Sequence, residues 1–312
     1  MFLFYSCLRG HMLRLDELPG PLCALSDKEL ERKIAIGSIT TKTLSFLTQS
    51  LVGKGFSWML PVVFSKTTDP LWPDPQASIE KRIEVEMYDE DVRAMQSMIV
   101  HKITACSLLY DKLFTLSPNI RIERRDRAVT GMHAYEFTQL DFEVRHASSK
   151  DIMMLVEGLL CSLIHYLSSE AGSELEILGR TPEVPEKPFM VSDHEDISVK
   201  GPCWVTDLPR EFYDFEENGI WDNYDLVLPG YGEVLSGSRR EWDYEKIVRK
   251  MERDGVRKEN YAALLDLSRS GRIKPSAGAG IGLERLIAWI CGSKHVCEVQ
   301  PFPRIPGLVY DL

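Results

Sequence analysis

The sequence predicts an α+β fold in which an antiparallel β-sheet is flanked by helices, and three segments carry that prediction. From Glu136 to Val144 the residues alternate. Thr138, Leu140, Phe142 and Val144 make one apolar face, and Phe137, Gln139, Asp141 and Glu143 make the other. Ser148 and Asp151 then form an S-x-x-D capping box. Behind it runs an apolar stripe at helical spacing, from Ile152 through Leu155, Val156, Leu159, Leu160, Leu163 and Ile164 to Leu167, and Gly172 stops it. Near the C-terminus, Pro275-Ser-Ala-Gly278-Ala-Gly280-Ile-Gly282 reads as a glycine-rich strand that turns into a helix ending at Gly292.

The remaining elements follow in chain order. Residues 1–35, with Pro19-Gly20-Pro21, read as an irregular extension, and 36–312 as one large domain. An apolar helical pattern runs from Ile39 to Leu51 and is ended by Gly53 and Gly55. The strand-like run from Phe56 to Phe64 contains Pro61, which suits an edge or an interface. Asp69-Pro-Leu-Trp-Pro-Asp-Pro75 is a loop. Leu116 to Glu123 alternates again, with Ile120 and Ile122 on one side and Arg121 and Glu123 on the other. Pairing of this strand with 136–144, through the polar stretch 124–133, makes a hairpin with Arg121, Glu123, Phe137 and Asp141 on one surface. Such a set can clamp a phosphate, stack a base and hold an ammonium. It is equally the pattern of a hairpin laced by cross-strand ion pairs. Residues 179–202, rich in proline and charge, read as a surface insertion.

Composition narrows the function classes. Of 312 residues, 44% are hydrophobic and 27% charged, an ordinary globular balance, and the formal net charge is −10. That balance, with no long basic run, argues against a dedicated nucleic-acid binder and makes tRNA an unlikely partner. The seven cysteines are scattered with no metal-ligand spacing and read as reduced thiols. No uninterrupted apolar run reaches the roughly 18 residues of a membrane span. The opening MFLFYSCLRG is too short for a signal peptide, so the expectation is a cytoplasmic protein with no membrane contact. The glycine-rich turn is neither a dinucleotide-binding nor a P-loop fingerprint, because its spacing is GxGxG and no Gly-Lys-Ser/Thr occurs.

Taken together, Arg121-x-Glu123, His133-Ala-Tyr-Glu-Phe137-x-x-Leu-Asp141 and Gly278-x-Gly280-x-Gly282-x-Glu284-Arg285 occur in the order and form of motifs 2 and 3 of class II aminoacyl-tRNA synthetases. Helix 39–51 with the strand to Pro61 resembles motif 1, the dimer element. The resemblance runs from about residue 40 to the C-terminus and is nearest to the aspartyl/asparaginyl subgroup. It implies a class II synthetase catalytic core, ATP as substrate, Mg²⁺ as cofactor and a homodimer. Arg121 would then grip the α-phosphate and Arg285 the γ-phosphate, and these two are the expected catalytic residues. Glu123 and His133 would hold the ends of the nucleotide, and Phe137 would stack on adenine. Asp225 and Glu233, on a strand pair that resembles the family's metal-bearing one, would bind Mg²⁺, for which carboxylate and phosphate oxygens are apt ligands.

Gln96-Ser97-Met-Ile99-Val-His-Lys102 resembles the aspartyl segment Gln-Ser-Pro-Gln-x-x-Lys, with Ile99 in place of the second glutamine. The resemblance assigns Gln96, Ser97, Lys102, Gln139, Asp141 and Arg240 to the amino-acid substrate. Lys102 and Arg240 would neutralise a carboxylate, and asparagine would leave them unpaired, so aspartate is the expected substrate. The irregular N-terminal residues cannot supply a five-stranded anticodon-reading barrel. The phrases Asp69 to Pro75, Glu211-Phe-Tyr-Asp214 and Pro301 to Gly307 look like the archaeal ammonia-dependent asparagine synthetases (asparagine synthetase A type), which resemble this catalytic core without its anticodon domain. The expectation is an aspartate–ammonia ligase working through a β-aspartyl-adenylate. The alternative is a truncated aspartyl-tRNA synthetase relative that passes activated aspartate to tRNA or another acceptor.

Overall fold

Eight strands joined edge to edge organise the molecule, seen here in a computed structural model that describes residues 12–69, 79–192 and 201–311. The first 11 residues, part of the Asp69–Pro75 loop and part of the 179–202 stretch lie outside the described residues. The strands are β1 (Ser57–Trp58), β2 (Lys112–Ile120), β3 (Glu136–Arg145), β4 (Met190–Ser192), β5 (Cys203–Thr206), β6 (Asn223–Leu228), β7 (Gly232–Arg239) and β8 (Ser276–Gly282). Their order across the sheet is β1-β2-β3-β8-β7-β6-β5-β4. The six central strands pair antiparallel, and the two short outer strands, β1 on β2 and β4 on β5, pair parallel. The α+β sheet fold expected from the sequence is therefore the observed one. Pro61 follows the edge strand β1, where a missing N–H costs no ladder bond.

Among the described residues seven α-helices pack around the sheet: α1 (Asp27–Gly53), α2 (Ile99–Leu108), α3 (Ser149–Glu170), α4 (Gly172–Ile177), α5 (Tyr244–Arg253), α6 (Ala262–Arg269) and α7 (Leu283–Cys291). Helices α1, α3 and α7 bury Ile39, Leu163, Ile164 and Ile287 against Leu140, Phe142, Leu226, Leu235 and Ile281 of the sheet's back face, and this is the main core. A second core on the front joins Ile99 and Ile103 of α2, Phe212, Ile247 of α5 and Leu265 of α6. Both faces of β3 are consequently buried, Leu140 and Phe142 behind, Asp141 and Glu143 in front. A half-exposed strand would leave those carboxylates in water.

Two expectations change. The N-terminal extension is not irregular to residue 35, because α1 begins at Asp27. Ser26 and Glu29 cap it reciprocally, the Ser26 N–H and O–H donating to the Glu29 carboxylate at 2.8 and 2.6 Å. That S-x-x-E signal stands in the sequence but lies upstream of the apolar stripe. By length and composition α3 is long and apolar enough to cross a membrane. Here its apolar side is the centre of the main core, which accounts for that composition.

Candidate functional site

The front of the sheet is built in rungs. Asp141, Gly280, Ser236 and Asp225 lie side by side on β3, β8, β7 and β6. Glu143, Gly278 and Ser238 form the next rung. The glycines have a geometric cause. A Cβ at Gly280 would sit 2.9 Å from Asp141 Oδ1 and 3.0 Å from Gln139 Nε2, and one at Gly278 would collide with the Phe142 carbonyl and the Glu143 carboxylate. Bare backbone on β8 lets the acids of β3 lean across the sheet.

Above Gly280 and Gly282 opens a cleft of about 80 Å³, lined among others by Arg121, Glu123, His133, Phe137, Gln139, Glu233, Glu284 and Arg285. These residues arrive from four separate stretches of chain. The guanidinium of Arg121 lies over the Phe137 ring at 5.1 Å and donates through Nε and Nη2 to the Gln96 carbonyl at 3.1 and 3.0 Å. The ring assigned to adenine thus already carries a cation on one face. Arg285 donates to the carbonyls of Met132 and Glu233 at 3.3 and 3.0 Å, with the Glu233 carboxylate 3.6 Å away. His133 is held by Thr130 at 2.7 Å. Burial, reinforced by Arg285 and Arg127, keeps its imidazole well below the usual histidine range, hence neutral. Glu284, which sequence reasoning left without a role, accepts the Thr138 N–H on both oxygens at 2.9 and 3.0 Å, tying α7 to β3. Burial raises its carboxyl against the pull of those bonds.

Of the residues expected to hold the amino acid, Lys102, Asp141 and Arg240 are buried and already paired. Lys102, reaching across from α2, donates to Asp141 Oδ1 at 2.8 Å and to the Ala279 carbonyl at 3.0 Å, and Ser117 donates to Asp141 Oδ2 at 2.5 Å. The ammonium at Asp141 is therefore the chain's own Lys102. Arg240 is bonded at every nitrogen, to Glu143, to Asp214 and Ser238, and to the Gly278 carbonyl. The expectation that asparagine would leave Lys102 and Arg240 unpaired is corrected: both are neutralised internally by buried carboxylates. Ser97 caps α2 through the Ile99 N–H at 3.3 Å. Gln96 is buried, and its side-chain amide makes no hydrogen bond among the described residues, a donor–acceptor pair suited to a polar ligand.

The two residues assigned to Mg²⁺ part company. Asp225 is fully buried on β6 and its Oδ2 takes a 2.5 Å bond from Arg210, so a guanidinium stands where the cation was expected. Glu233 lines the cleft, partly exposed. Among the described residues no cluster of three or more His, Cys, Asp or Glu side chains could hold a metal ion. The donor set fits an ion that takes one protein carboxylate, Glu233, and fills its shell with phosphate oxygens and water. Arg210 itself was missed. It stands immediately before Glu211-Phe-Tyr-Asp214, the phrase that the sequence marked but gave no chemistry. Beside it Glu211 is pushed up to about 7, by burial and then by the neighbouring Asp69.

Against known proteins, the family model described as tRNA synthetases class II (D, K and N) matches residues 77–306. The asparagine–tRNA ligase of Thermus thermophilus is 31% identical over 279 residues, which cover 75% of this chain and 63% of that protein. That of Clostridium botulinum is 30% identical over 247 residues, covering 64% and 52%. This chain thus spans less than two thirds of these relatives. Among solved structures, asparaginyl-tRNA synthetase from Pyrococcus horikoshii with asparaginyl-adenylate superposes with a TM-score of 0.76 at 23% identity, covering 89% of this chain and 70% of that one. Aspartyl tRNA synthetase from Entamoeba histolytica gives 0.70 at 20%, covering 88% and 59%. At these identities the superpositions establish the fold.

Proposed function

Because this chain belongs to the class II tRNA synthetase family (D, K and N), we propose that it is a ligase that activates aspartate or asparagine with ATP as an acyl-adenylate. One observation carries the reading: Arg121, Phe137, Glu233 and Arg285, from separate stretches of chain, line one cleft over the bare backbone of Gly280 and Gly282. In it, Phe137 and Arg121 sandwich or flank the base. Arg121 and Arg285 meet the phosphates with preorganised positive charge, and neutral His133 adds a hydrogen bond without repelling them. Mg²⁺, when bound through Glu233, supplies charge neutralisation between phosphate groups. The substrate carboxylate attacks the α-phosphorus, pyrophosphate leaves, and a second nucleophile then displaces AMP from the acyl carbon. The homodimer implied by motif 1 belongs to the same proposal, since α1 and β1 leave Ile34, Val52 and Trp58 exposed.

For the acceptor, the named relatives favour tRNA, the reading that the sequence placed second, and we take an aspartyl- or asparaginyl-transferring enzyme as the first choice. Ammonia is the second reading, and it rests on the resemblance of Glu211-Phe-Tyr-Asp214 and of Pro301 to Gly307 to the archaeal ammonia-dependent asparagine synthetases. Pyrophosphate exchange with aspartate and with asparagine tests activation. Purified tRNA and ammonium, offered separately, test transfer. Aminoacyl-tRNA without free asparagine supports the first reading, and stoichiometric asparagine and AMP support the second. Absence of exchange with both amino acids overturns the activation step itself.

A further inference from the structure

Behind the cleft, Asn119 of β2 is completely buried, and its bonding is one-sided. Its Nδ2 donates to the Ser117 carbonyl at 3.1 Å, to Ser117 Oγ at 3.4 Å and to Gln139 Oε1 at 3.1 Å. Its Oδ1 meets no hydrogen-bond partner among the described residues. A leucine of similar shape would fill the same space without stranding that oxygen, so what the amide contributes is its donor pair. Those donors fix an orientation. A backbone carbonyl can only accept, so the nitrogen of Asn119, not its oxygen, must face Ser117. Ser117 gives its own hydrogen to Asp141 Oδ2, so its Oγ also meets Asn119 as an acceptor. The Gln139 atom facing the same nitrogen must then be its oxygen, since rotating that amide would set two NH2 groups against each other. The Gln139 Nε2 is accordingly turned the other way, toward Gly280, where a Cβ would lie 3.0 Å from it. Gln139 lines the cleft with Gly280, and its Nε2 makes no hydrogen bond of its own among the described residues.

We propose that Asn119 is a positioning residue of this site: by holding Gln139 Oε1 it aims the Gln139 NH2 into the cleft, as a hydrogen-bond donor to an oxygen of the bound amino acid. The inference rests on the activation reading above and deepens it, adding a residue that none of the three motifs contains. The atom addressed is a carboxylate or acyl oxygen, because an NH2 donates to lone pairs and repels an ammonium or another NH2. On β3, Gln139 stands between Phe137, whose ring carries Arg121, and Asp141, which Lys102 and Ser117 hold. The donor therefore lies where the nucleotide and amino-acid halves of the site meet.

The test is pyrophosphate exchange on the full chain, with KM measured for ATP and for the amino acid that the wild type activates. The variants are Asn119→Leu, Gln139→Leu, the two combined, and Gln139→Glu. Each single leucine variant raises the amino-acid KM by roughly 3- to 10-fold, the worth of one neutral hydrogen bond, and leaves the ATP KM within about twofold. Because Asn119 acts through Gln139, the double variant stays within about twofold of Gln139→Leu alone, whereas two independent losses multiply. Gln139→Glu keeps the bond from Asn119 on one oxygen and turns an anionic oxygen to the cleft where the NH2 stood. It raises the amino-acid KM beyond the Gln139→Leu value. Position 139 is half-buried, so this variant keeps the test decisive where circular dichroism shows Asn119→Leu misfolded. Multiplying losses in the leucine pair, or a Gln139→Glu enzyme as good as Gln139→Leu, overturns the inference. So does a folded Asn119→Leu enzyme that moves both KM values together, as a structural defect does. A wild type that exchanges with neither aspartate nor asparagine overturns the activation reading itself, so the wild-type measurement tells the two failures apart.

Discussion

Lys102→Met offers the sharpest test of how the floor of this site is held together. The two partners, Lys102 and Asp141, are each only 2% exposed, and their charges lie 2.8 Å apart. Removing the cation leaves Asp141 buried with only Ser117 donating to it among the described residues and frees the Ala279 carbonyl. Breaking one side of a buried pair costs about 3–5 kcal/mol, a large share of the roughly 5–15 kcal/mol by which a domain is stable. Replacing both, as Lys102→Met/Asp141→Asn, removes the stranded charge, and the double variant lies within about 1–2 kcal/mol of the wild type. Urea unfolding followed by tryptophan fluorescence, with a double-mutant cycle over the four proteins, measures both values. If Lys102→Met costs under 1 kcal/mol, or the double variant is as unstable as the sum of the singles, the buried-pair reasoning is wrong. The same proteins carry a functional arm. A stable double variant that has lost aspartate-dependent exchange would return Lys102 to the substrate-binding role that its sequence context implied.

Other outcomes follow from the same geometry. Gly280→Ala pushes a methyl against Asp141, which Lys102 and Ser117 pin, and against Gln139. It loses at least about a hundredfold in exchange activity while costing about 1–3 kcal/mol in urea unfolding. Gly278→Ala meets the Phe142 backbone carbonyl, which no rotamer change relieves, so its urea midpoint falls further than that of Gly280→Ala. Arg121→Ala and Arg285→Ala each reduce adenylate formation by roughly 10²–10³-fold with unchanged far-ultraviolet circular dichroism. Activity surviving in both removes them from the chemistry. His133 is depressed when folded, so the unfolded chain binds the extra proton. Stability therefore falls as pH drops below the ordinary histidine value of about 6.5, by up to about 1.4 kcal/mol per pH unit. His133→Asn flattens that part of the stability–pH curve, and an unaltered curve refutes the assignment. Glu211 has the opposite sign: its raised folded value of about 7 makes stability decline as pH rises from the ordinary carboxyl range to about 7. Glu211→Gln removes that decline.

Much of the architecture was legible because it is local. Alternation from 136 to 144 defined a strand and its two faces, the Ser148 box placed the start of α3, and the glycines at 278, 280 and 282 announced a strand that something had to approach closely. The residues assigned to the nucleotide lie together for the same reason. Arg121, Phe137, Glu233 and Arg285 each sit within a short recognisable phrase, and the fold carries all four to one cleft. The start of α1 was misplaced although its capping signal was present, because Gly37 and a weak apolar stripe hid the first turns.

Partnership is what the sequence by itself could not decide. Residue types and spacing determined that an antiparallel sheet would carry acids, arginines and glycines on one face. Which cation meets which carboxylate depends on strand register and on a helix reaching over from another part of the chain. Lys102 meets Asp141 across 39 positions, and Arg240 meets Glu143 across 97. Arg210 meets Asp225, one of the two carboxylates assigned to the metal, because β6 and β7 pair so that Ser236 and Asp225 face the same guanidinium. Burial then gives those pairings their energy, since a charge only a few per cent exposed must be neutralised by whatever the fold sets beside it. Only the tertiary structure could show that the two cations read as substrate ligands, Lys102 and Arg240, are already neutralised by carboxylates.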